Sequence, residues 1–435
     1  MKILDAEKKI GIETFFTPCS GIGGKLRVKP EDFTVKEISN YPVEKEDGKF
    51  TIADVTATYW ETNLLVRELS KKLKISRQRI GFAGTKDKRA KTTRLMSFYK
   101  VPVENIQNLK ISDVEIKNVY RSDKPVKVGN LTGNKFEIII RESEKINEED
   151  VSQIFSKIKE NNGFPNFFGI QRFGVIRPIT HIVGKHMACG DFEKAAMTYV
   201  ANPIKGEDEE TYVLRQDLEK TRDFSKALKN YPNTLNYEKA ILNKLVVNPE
   251  DFVGGLKELP KNLLTMFVYA YQSYLFNRII SMRLKNGLPL NKTVVGDIIL
   301  PFRKGVFEEE FIPVKKNNID KVNLQISKGK AAVSGVLFGS DSVFAEGEMG
   351  EIEHKIIESE KIDYRDFIIP EIPFISSSGT RRPILGFVQD FNFKIIDDDI
   401  SPGEKALFLN FQLHKGCYAT SLLREFMKSN DIRNY

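Results

Sequence analysis

Gly81-Phe82-Ala83-Gly84-Thr85-Lys86-Asp87-Lys88-Arg89-Ala90 places one carboxylate, Asp87, between Lys86 and the pair Lys88-Arg89, directly after a short apolar stretch punctuated by glycine. Neighbouring cations favour the ionised form of a carboxylate even where burial works against it. An ionised carboxylate held in place is a nucleophile or an electrostatic stabiliser, so Asp87 is a catalytic candidate. The competing reading is an exposed turn between strand and helix with ordinary surface charges.

Working outward, the charge is concentrated around this turn. The chain of 435 residues carries a formal net charge of +8. Between Arg67 and Arg94 there are eleven Lys or Arg against two acids, Glu68 and Asp87. Such density beside a candidate carboxylate suits a polyanionic partner such as nucleic acid. Hydrophobic content of 41% and charged content of 29% are those of a soluble globular protein, and the length suits two domains or one domain with a large insertion. No apolar run is long enough for a bilayer and the start lacks a signal-peptide core, so a cytoplasmic location without membrane contact is expected. Cys19, Cys189 and Cys417 are widely spaced and suggest neither a disulfide framework nor a zinc ribbon.

Local patterns place the turn among strands and helices. Lys25 to Ile38 reads as a turn followed by a strand, with Pro30 blocking helix and Phe33, Val35 and Glu37 on one face. Thr51 to Tyr59 alternates with Ala53, Val55 and Ala57 on one side. Asn63 is expected to cap a helix running to about Leu73. Arg79 to Ala83, Leu95 to Val101 and Lys135 to Arg141 read as strands, the last with an Ile138-Ile139-Ile140 run suited to burial on both faces. Glu148 to Glu160 is an amphipathic helix stopped by Asn161-Asn162-Gly163. Phe192 to Val200 and Leu263 to Lys285 read as helices of a differently textured middle region. Lys405 to Leu413 reads as a strand and Thr420 to Lys428 as a closing helix.

Two loops carry further chemistry. Phe164-Pro165-Asn166-Phe167-Phe168-Gly169-Ile170-Gln171-Arg172-Phe173-Gly174 crowds four aromatics with Asn166, Gln171 and Arg172. Aromatics beside Arg and Asn on a glycine-shaped loop can stack an unpaired base and hydrogen-bond its edge; a small aromatic core plug is the competing reading. Ser376-Ser377-Ser378-Gly379-Thr380-Arg381-Arg382-Pro383 ends in two arginines that can close on a phosphate or carboxylate, or serve only as a linker. Several chemistries find no support. Gly84-Thr85-Lys86-Asp87 lacks the P-loop pattern, Gly21-Ile22-Gly23-Gly24 precedes no helix pattern, and His181, His186 and Cys189 fit no zinc spacing. With four histidines in all, carboxylate and guanidinium groups are the expected chemical actors.

Four stretches together resemble the TruD-type pseudouridine synthases. They are Arg27-Val28-Lys29-Pro30-Glu31-Asp32-Phe33, Gly81 to Thr92, Asn166 to Gly174, and Gly416 to Phe426, in family order over nearly the whole chain. The chain looks like the archaeal branch. The resemblance implies an α+β fold: a mixed, largely antiparallel sheet with flanking helices and a central cleft, interrupted by a large inserted α/β TRUD domain. The corresponding division is 1–174 and 376–435 for the catalytic domain and 175–375 for the insertion. It also implies isomerisation of uridine in tRNA, at position 13 in the family's best-known substrate. Asp87 falls on the catalytic aspartate, and Arg27 where the family has a basic residue, commonly Lys, beside it. Asn166 and Phe168 fall on positions that line the base pocket, with Phe168 stacking on the target base.

Pseudouridylation breaks the C1′–N1 bond, turns the uracil and rejoins it through C5, so the reaction itself calls for no cofactor and no metal. Arg27 is expected to hold Asp87 charged in a dry pocket, and Lys86, Lys88 and Arg89 to face RNA phosphates. The expected partner is tRNA, with no nucleotide cofactor and, by default, a monomer. Two other readings stay open. One is a catalytically inactive RNA-binding protein of the same fold; the other is a metal-dependent nuclease, which would want several clustered acids.

Overall fold

The computed structural model of the chain describes residues 3–143 and 146–435. They form two compact units. The flanking unit comprises Thr17–Phe164, Gly386–Asn430 and Asn434–Tyr435; the central unit comprises the chain up to Phe16, Pro165–Leu385 and Asp431–Arg433. The changeovers thus fall at 164/165 and 385/386, where the sequence expectation has 174/175 and 375/376. Local bonding explains their position: the Phe168 N–H donates to Asn277 Oδ1 (2.8 Å), and Thr380–Pro383 is a strand paired with Ala331–Leu337.

Strands are numbered along the described chain. They are β1 (Gly23–Lys25), β2 (Phe33–Ser39), β3 (Phe50–Thr58), β4 (Ile80–Phe82), β5 (Lys91–Tyr99), β6 (Val114–Ser122), β7 (Leu131–Ser143) and β8 (Gly163–Pro165). There follow β9 (Ile298–Arg303), β10 (Val306–Phe307), β11 (Ile312–Pro313), β12 (Ala331–Leu337), β13 (Thr380–Pro383), β14 (Leu385–Asp397) and β15 (Lys405–His414). In the flanking unit the strand order is β6-β3-β5-β2-β7-β15-β14-β8, with β1 added on β7 and β4 on β5. The β2–β5 pair is parallel (Thr34↔Lys91, Val35↔Thr92), while β7 runs antiparallel to both β2 and β15. The sheet is therefore mixed and largely antiparallel, and the fold is α+β.

Three helices cover this sheet because their apolar stripes match its apolar positions. Val151, Ile154 and Ile158 of the helix Glu148–Glu160, with Leu422, Leu423 and Phe426 of Ala419–Met427, pack with Phe136, Ile138, Ile140, Leu407, Leu409 and Phe411. Each such side chain contributes about 1.5–3 kcal/mol of burial. On the far part of the sheet, Leu65, Val66 and Leu69 of the helix Thr62–Leu73 meet Ala53, Val55, Ala57, Met96 and Phe98.

Two local expectations change. The helix cap is Glu61, whose side chain accepts the Leu64 N–H at 2.9 Å, and Asn63 lies inside the helix, donating to Glu61 at 3.0 Å. The helix begins two residues earlier than a cap at Asn63 implies, at Thr62, whose hydroxyl is used elsewhere. Ile138 and Ile140 are fully buried but Ile139 is only partly so, as suits an antiparallel strand with one well-covered face.

The central unit combines helices with an antiparallel sheet ordered β10-β9-β12-β13, β11 pairing with β9. Its axis is the helix Lys261–Lys285, which buries Phe267, Tyr271, Leu275, Phe276 and Ile279. Fully buried ion pairs tie helices to the sheet region: Arg283 to Asp297 just before β9 (2.6 and 2.9 Å), and Arg381 of β13 to Glu353 (2.7 Å). Arg381 is thereby a structural residue and not an anion receptor. Cys19, Cys189 and Cys417 form no disulfide among the described residues. Among the described residues no helix is long and apolar enough to cross a membrane.

His181 in the helix Thr180–Ala188 stacks on Tyr274 (5.0 Å) and meets Phe173 edge-on (5.2 Å). Burial pushes it down to about 4, outweighing a hydrogen bond to the Lys9 backbone and the charge of Glu360. The folded value lies below that of the unfolded chain, so stability is flat above about pH 6.5 and falls between about pH 6.5 and 4, where only the unfolded chain takes up the proton. His181→Leu is expected to reduce the stability difference between pH 7 and pH 4.5 by about 2 kcal/mol. Urea denaturation at the two pH values measures this; the same difference in both proteins would contradict it.

Candidate active site

Strand β4 leads into the loop that bears Asp87. Gly81 is required there because a Cβ would lie 2.3 Å from the Val126 carbonyl oxygen. After pairing with β5 (Gly81↔Ser97, Phe82↔Met96), the chain leaves the sheet and returns to it at Lys91. Backbone contacts fix the excursion: Gly129 N–H donates to the Ala83 carbonyl (2.8 Å) and Lys86 N–H to Thr62 Oγ1 (2.9 Å).

Below the loop lies a buried polar network. Lys86 turns inward, its Nζ 2.9 Å from Glu37 Oε2 and 2.9 Å from Asn134 Oδ1; the two charged side chains are only 7% and 1% exposed. Glu37 shares the buried face of β2 with Phe33 and Val35, and Lys86 is what makes a carboxylate tolerable there. Arg94 donates to Thr62 Oγ1 (2.8 Å) and Thr92 Oγ1 (2.6 Å). Burial lowers Arg94 to about 10, with Glu37 and Glu61 opposing the shift. Lys86 is thus a support of the loop, which corrects the expectation that it faces phosphates.

Asp87 points the other way, and its side chain is 55% exposed. Arg27 Nη2 lies 3.2 Å from Asp87 Oδ2, and its guanidinium stacks 3.9 Å above the Phe33 ring. Burial lowers the Arg27 pKa, Asp87 resists that shift, and Arg89 adds to it. Arg89 also donates to the Arg27 carbonyl at 3.3 Å. The pair is one-sided: Arg27 is packed and Asp87 is open, so the expected dry pocket around the carboxylate is not a property of the chain alone.

Arg27 is placed by its own turn, in the left-handed region with φ +59°. The turn is tied to the sheet through Asp32, which accepts the Lys29 N–H (2.9 Å) and Arg141 Nε (2.8 Å). Arg141 also reaches Asp398 (2.5 Å) and Asp399 (2.6 Å), and Lys29 Nζ reaches Asp399 (2.6 Å). Burial would raise Asp398, but hydrogen bonds from Ile400, Arg141 and Ser401 outweigh it and hold the group below the usual carboxylate range. Hydrogen bonds from Lys29 and Arg141 hold Asp399 at about 2.

The basic stretch divides once folded. Eight of its eleven cations are exposed, including Lys88, whose ammonium is 5.2 Å from the Tyr59 ring, and Arg89. The other three serve the fold: Lys86, Arg94, and Arg79, which bonds the Tyr99 and Lys100 carbonyls.

The aromatic loop belongs to the central unit. Asn277, fully buried, holds the Phe168 backbone from both sides, accepting its N–H (2.8 Å) and donating to its carbonyl (3.0 Å). Asn166 donates to the Pro383 carbonyl (2.9 Å) and accepts from Arg382 Nη2 (2.9 Å). The Arg382 guanidinium lies 4.1 Å from the Phe168 ring centre, and that of Arg172 at 6.0 Å. Arg172 also approaches Ser273 Oγ (3.4 Å), while Gln171 lies half-buried on the short 3-10 turn Ile170–Arg172. A cavity of about 400 Å³ opens here, walled by Phe168, Arg172, Tyr269, Gln272, Ser273 and the turn Ser377–Thr380. Gly379 (φ +80°) closes that turn against Leu337 and Gly339, leaving no room for a Cβ. Among the described residues no group of three or more His, Cys, Asp or Glu side chains could hold a metal ion.

The family profile for tRNA pseudouridine synthase D (TruD) matches residues 9–426. The chain belongs to the TruD family. Among its relatives, a Methanococcoides burtonii protein named "Probable tRNA pseudouridine synthase D" is 44% identical over 434 residues, covering 99% of this chain and 98% of that one. A Pyrococcus furiosus protein of the same name is 37% identical over 422 residues, covering 97% and 99%. A crystal structure of a Methanosarcina mazei protein described as TruD superposes with a TM-score of 0.89 at 41% identity, covering all of both chains.

Within this TruD chain, the local structure groups Asp87 with Arg27 and Arg89, and separately Phe168 with Asn166 and Arg172. Reading by motif missed Glu37, Thr62, Arg94 and Asn134, whose only signal was a carboxylate on an otherwise apolar strand face. It also missed Arg382, seen only as the end of a small-residue loop. Arg27→Gly removes about 1 kcal/mol of left-handed strain while losing the ring contact and an open ion pair, each worth about 1 kcal/mol or less. Stability in urea is expected to change by about 1 kcal/mol at most, while turnover falls on the order of a hundredfold. A loss of several kcal/mol with normal turnover per folded molecule would reverse that division. Arg382→Lys keeps the charge but loses the planar contact with Phe168 and the fixed donor to Asn166, so kcat/KM for tRNA is expected to fall about tenfold; a wild-type value would show both contacts to be idle.

Proposed function

We propose that the chain isomerises uridine to pseudouridine in tRNA, at position 13, with Asp87 as the catalytic carboxylate. The observation that carries this reading is the Arg27–Asp87 ion pair, set in the motif loop of a chain that the TruD profile spans almost end to end. The reaction balances within the substrate: the C1′–N1 bond breaks, C1′–C5 forms, C5 loses a proton and N1 gains one. An ionised Asp87 serves either as the attacking group or as acceptor of the C5 proton. Arg27 keeps a cation beside it throughout.

Its energetics depend on substrate. With Asp87 half-exposed, the ion pair contributes about 0–1 kcal/mol to folding. RNA laid over the loop excludes water, and breaking such a covered pair then costs about 3–5 kcal/mol. Phe168, backed by Arg382, stacks on the base taken out of the RNA stack, and Asn166, Gln171 and Arg172 lie on the same loop for its polar edge. Lys88 and Arg89, both exposed beside Asp87, bind phosphates, with a strong dependence on salt. The reading includes a cytoplasmic, monomeric enzyme.

The test uses tRNA labelled with tritium at uridine C5. Wild type is expected to release one tritium per converted uridine without added metal, and Asp87→Ala to bind tRNA and release none. Equal release by both proteins would remove Asp87 from the chemistry. Binding without release by wild type would favour the inactive RNA-binding reading, and strand cleavage dependent on Mg²⁺ the nuclease. Sequencing of the product for pseudouridine decides position 13.

A further inference from the structure

The central unit has a second cleft, of about 510 Å³, between the strands β9, β11 and β12 and the helix Ile319–Ser327. Its floor is apolar and buried, made by Ile299, Pro301, Val322 and Ala331, with the Phe302 ring as a wall. The pairing Ala331↔Pro301 and the Phe302 N–H bond to the Lys330 carbonyl (2.8 Å) bring Arg303 and Lys330 to one rim. Lys321 and Gln325, one helical turn apart, supply the other.

The charges on this rim are largely unspent. Arg303 is paired with Glu308 at 3.3 Å, but among the described residues Lys321 and Lys330 form no ion pair, and both are exposed. An apolar floor with an aromatic wall takes a nucleobase, an amide can reach the base edge, and ammonium groups at the lip take the flanking phosphates. Charge complementarity with a polyanionic substrate favours RNA over a protein segment.

We propose that this cleft holds an unpaired nucleotide of the tRNA, other than the uridine that reacts, as a separate anchor for the substrate. The proposal rests on the tRNA reading above. A nucleotide seated here adds to binding in ground state and transition state alike, so it acts on KM and leaves kcat alone.

Two variants of the full chain test it with the tritium-release assay on tRNA. Gln325→Trp fills the cleft from an exposed helix position, and the double substitution Lys321→Gln, Lys330→Gln removes the unpaired cations. Each is expected to keep the wild-type thermal midpoint, raise KM for tRNA at least fivefold and leave kcat within twofold. The double variant is also expected to reduce the slope of log affinity against log salt by about 1–2, the loss of one or two phosphate contacts. A wild-type KM in Gln325→Trp overturns the proposal even if the lysine variant binds weakly, since the lysines would then act only as surface charge. An unchanged KM and salt slope in the lysine variant overturns it as well, and leaves the cleft to a ligand that is not RNA. Wild-type turnover of tRNA keeps these outcomes distinct from a failure of the tRNA reading, in which wild type itself releases no tritium.

Discussion

The Asp87 loop depends on one buried ion pair beneath it. Lys86 and Glu37 are both almost without solvent, and each is acceptable there only because of the other. Removing one partner of such a pair leaves an uncompensated buried charge, a loss of about 3–5 kcal/mol. That constraint fixes which way the loop is threaded. With Lys86 committed inward to β2 and Asn134, Asp87 emerges on the open side, where Arg27 meets it. Thr62 and Arg94 extend the same network to the start of the neighbouring helix, so the loop is braced from a strand, a helix and its own return strand.

Arg27 is held by a parallel arrangement. Arg141, near the end of β7, gathers Asp32, Asp398 and Asp399 around one guanidinium. Asp32 caps the turn that carries Arg27, and Asp398 and Asp399 come from the segment between β14 and β15. Residues far apart in the chain therefore converge on β7, the strand that pairs with β1, β2 and β15. The chain holds the Asp87 and Arg27 loops through buried polar centres, and uses aromatic and aliphatic packing for the sheet and its helices.

In the central unit the same logic appears with amides in place of charges. Asn277 grips both sides of the Phe168 peptide, and Asn166 is held between the Pro383 carbonyl and Arg382. The Phe168 ring is largely buried and meets Phe276 edge-on at 5.7 Å. Its orientation is set further through its backbone and through the planar Arg382 cation.

Much of this was legible from sequence. Alternation at Ala53, Val55 and Ala57, the helix Glu148–Glu160 with its asparagine-glycine stop, and the placement of Glu37 on an apolar face all follow from local periodicity and capping, which are properties of a few neighbouring residues. The TruD-like motifs singled out Asp87 and Arg27, which the fold brings into an ion pair, and Asn166 and Phe168, which lie on one loop. Tertiary structure alone decided which cations were available. Lys86 and Arg94 read as part of a basic run and Arg381 as the end of a small-residue loop, yet all three are internal, neutralised or hydrogen-bonded by Glu37, Thr62 and Glu353 from other segments. It also recruited Arg382 to Phe168 across more than two hundred residues of chain. Sequence determines a residue's charge and its local backbone; whether that charge meets solvent or a buried partner depends on contacts between segments that no local pattern encodes.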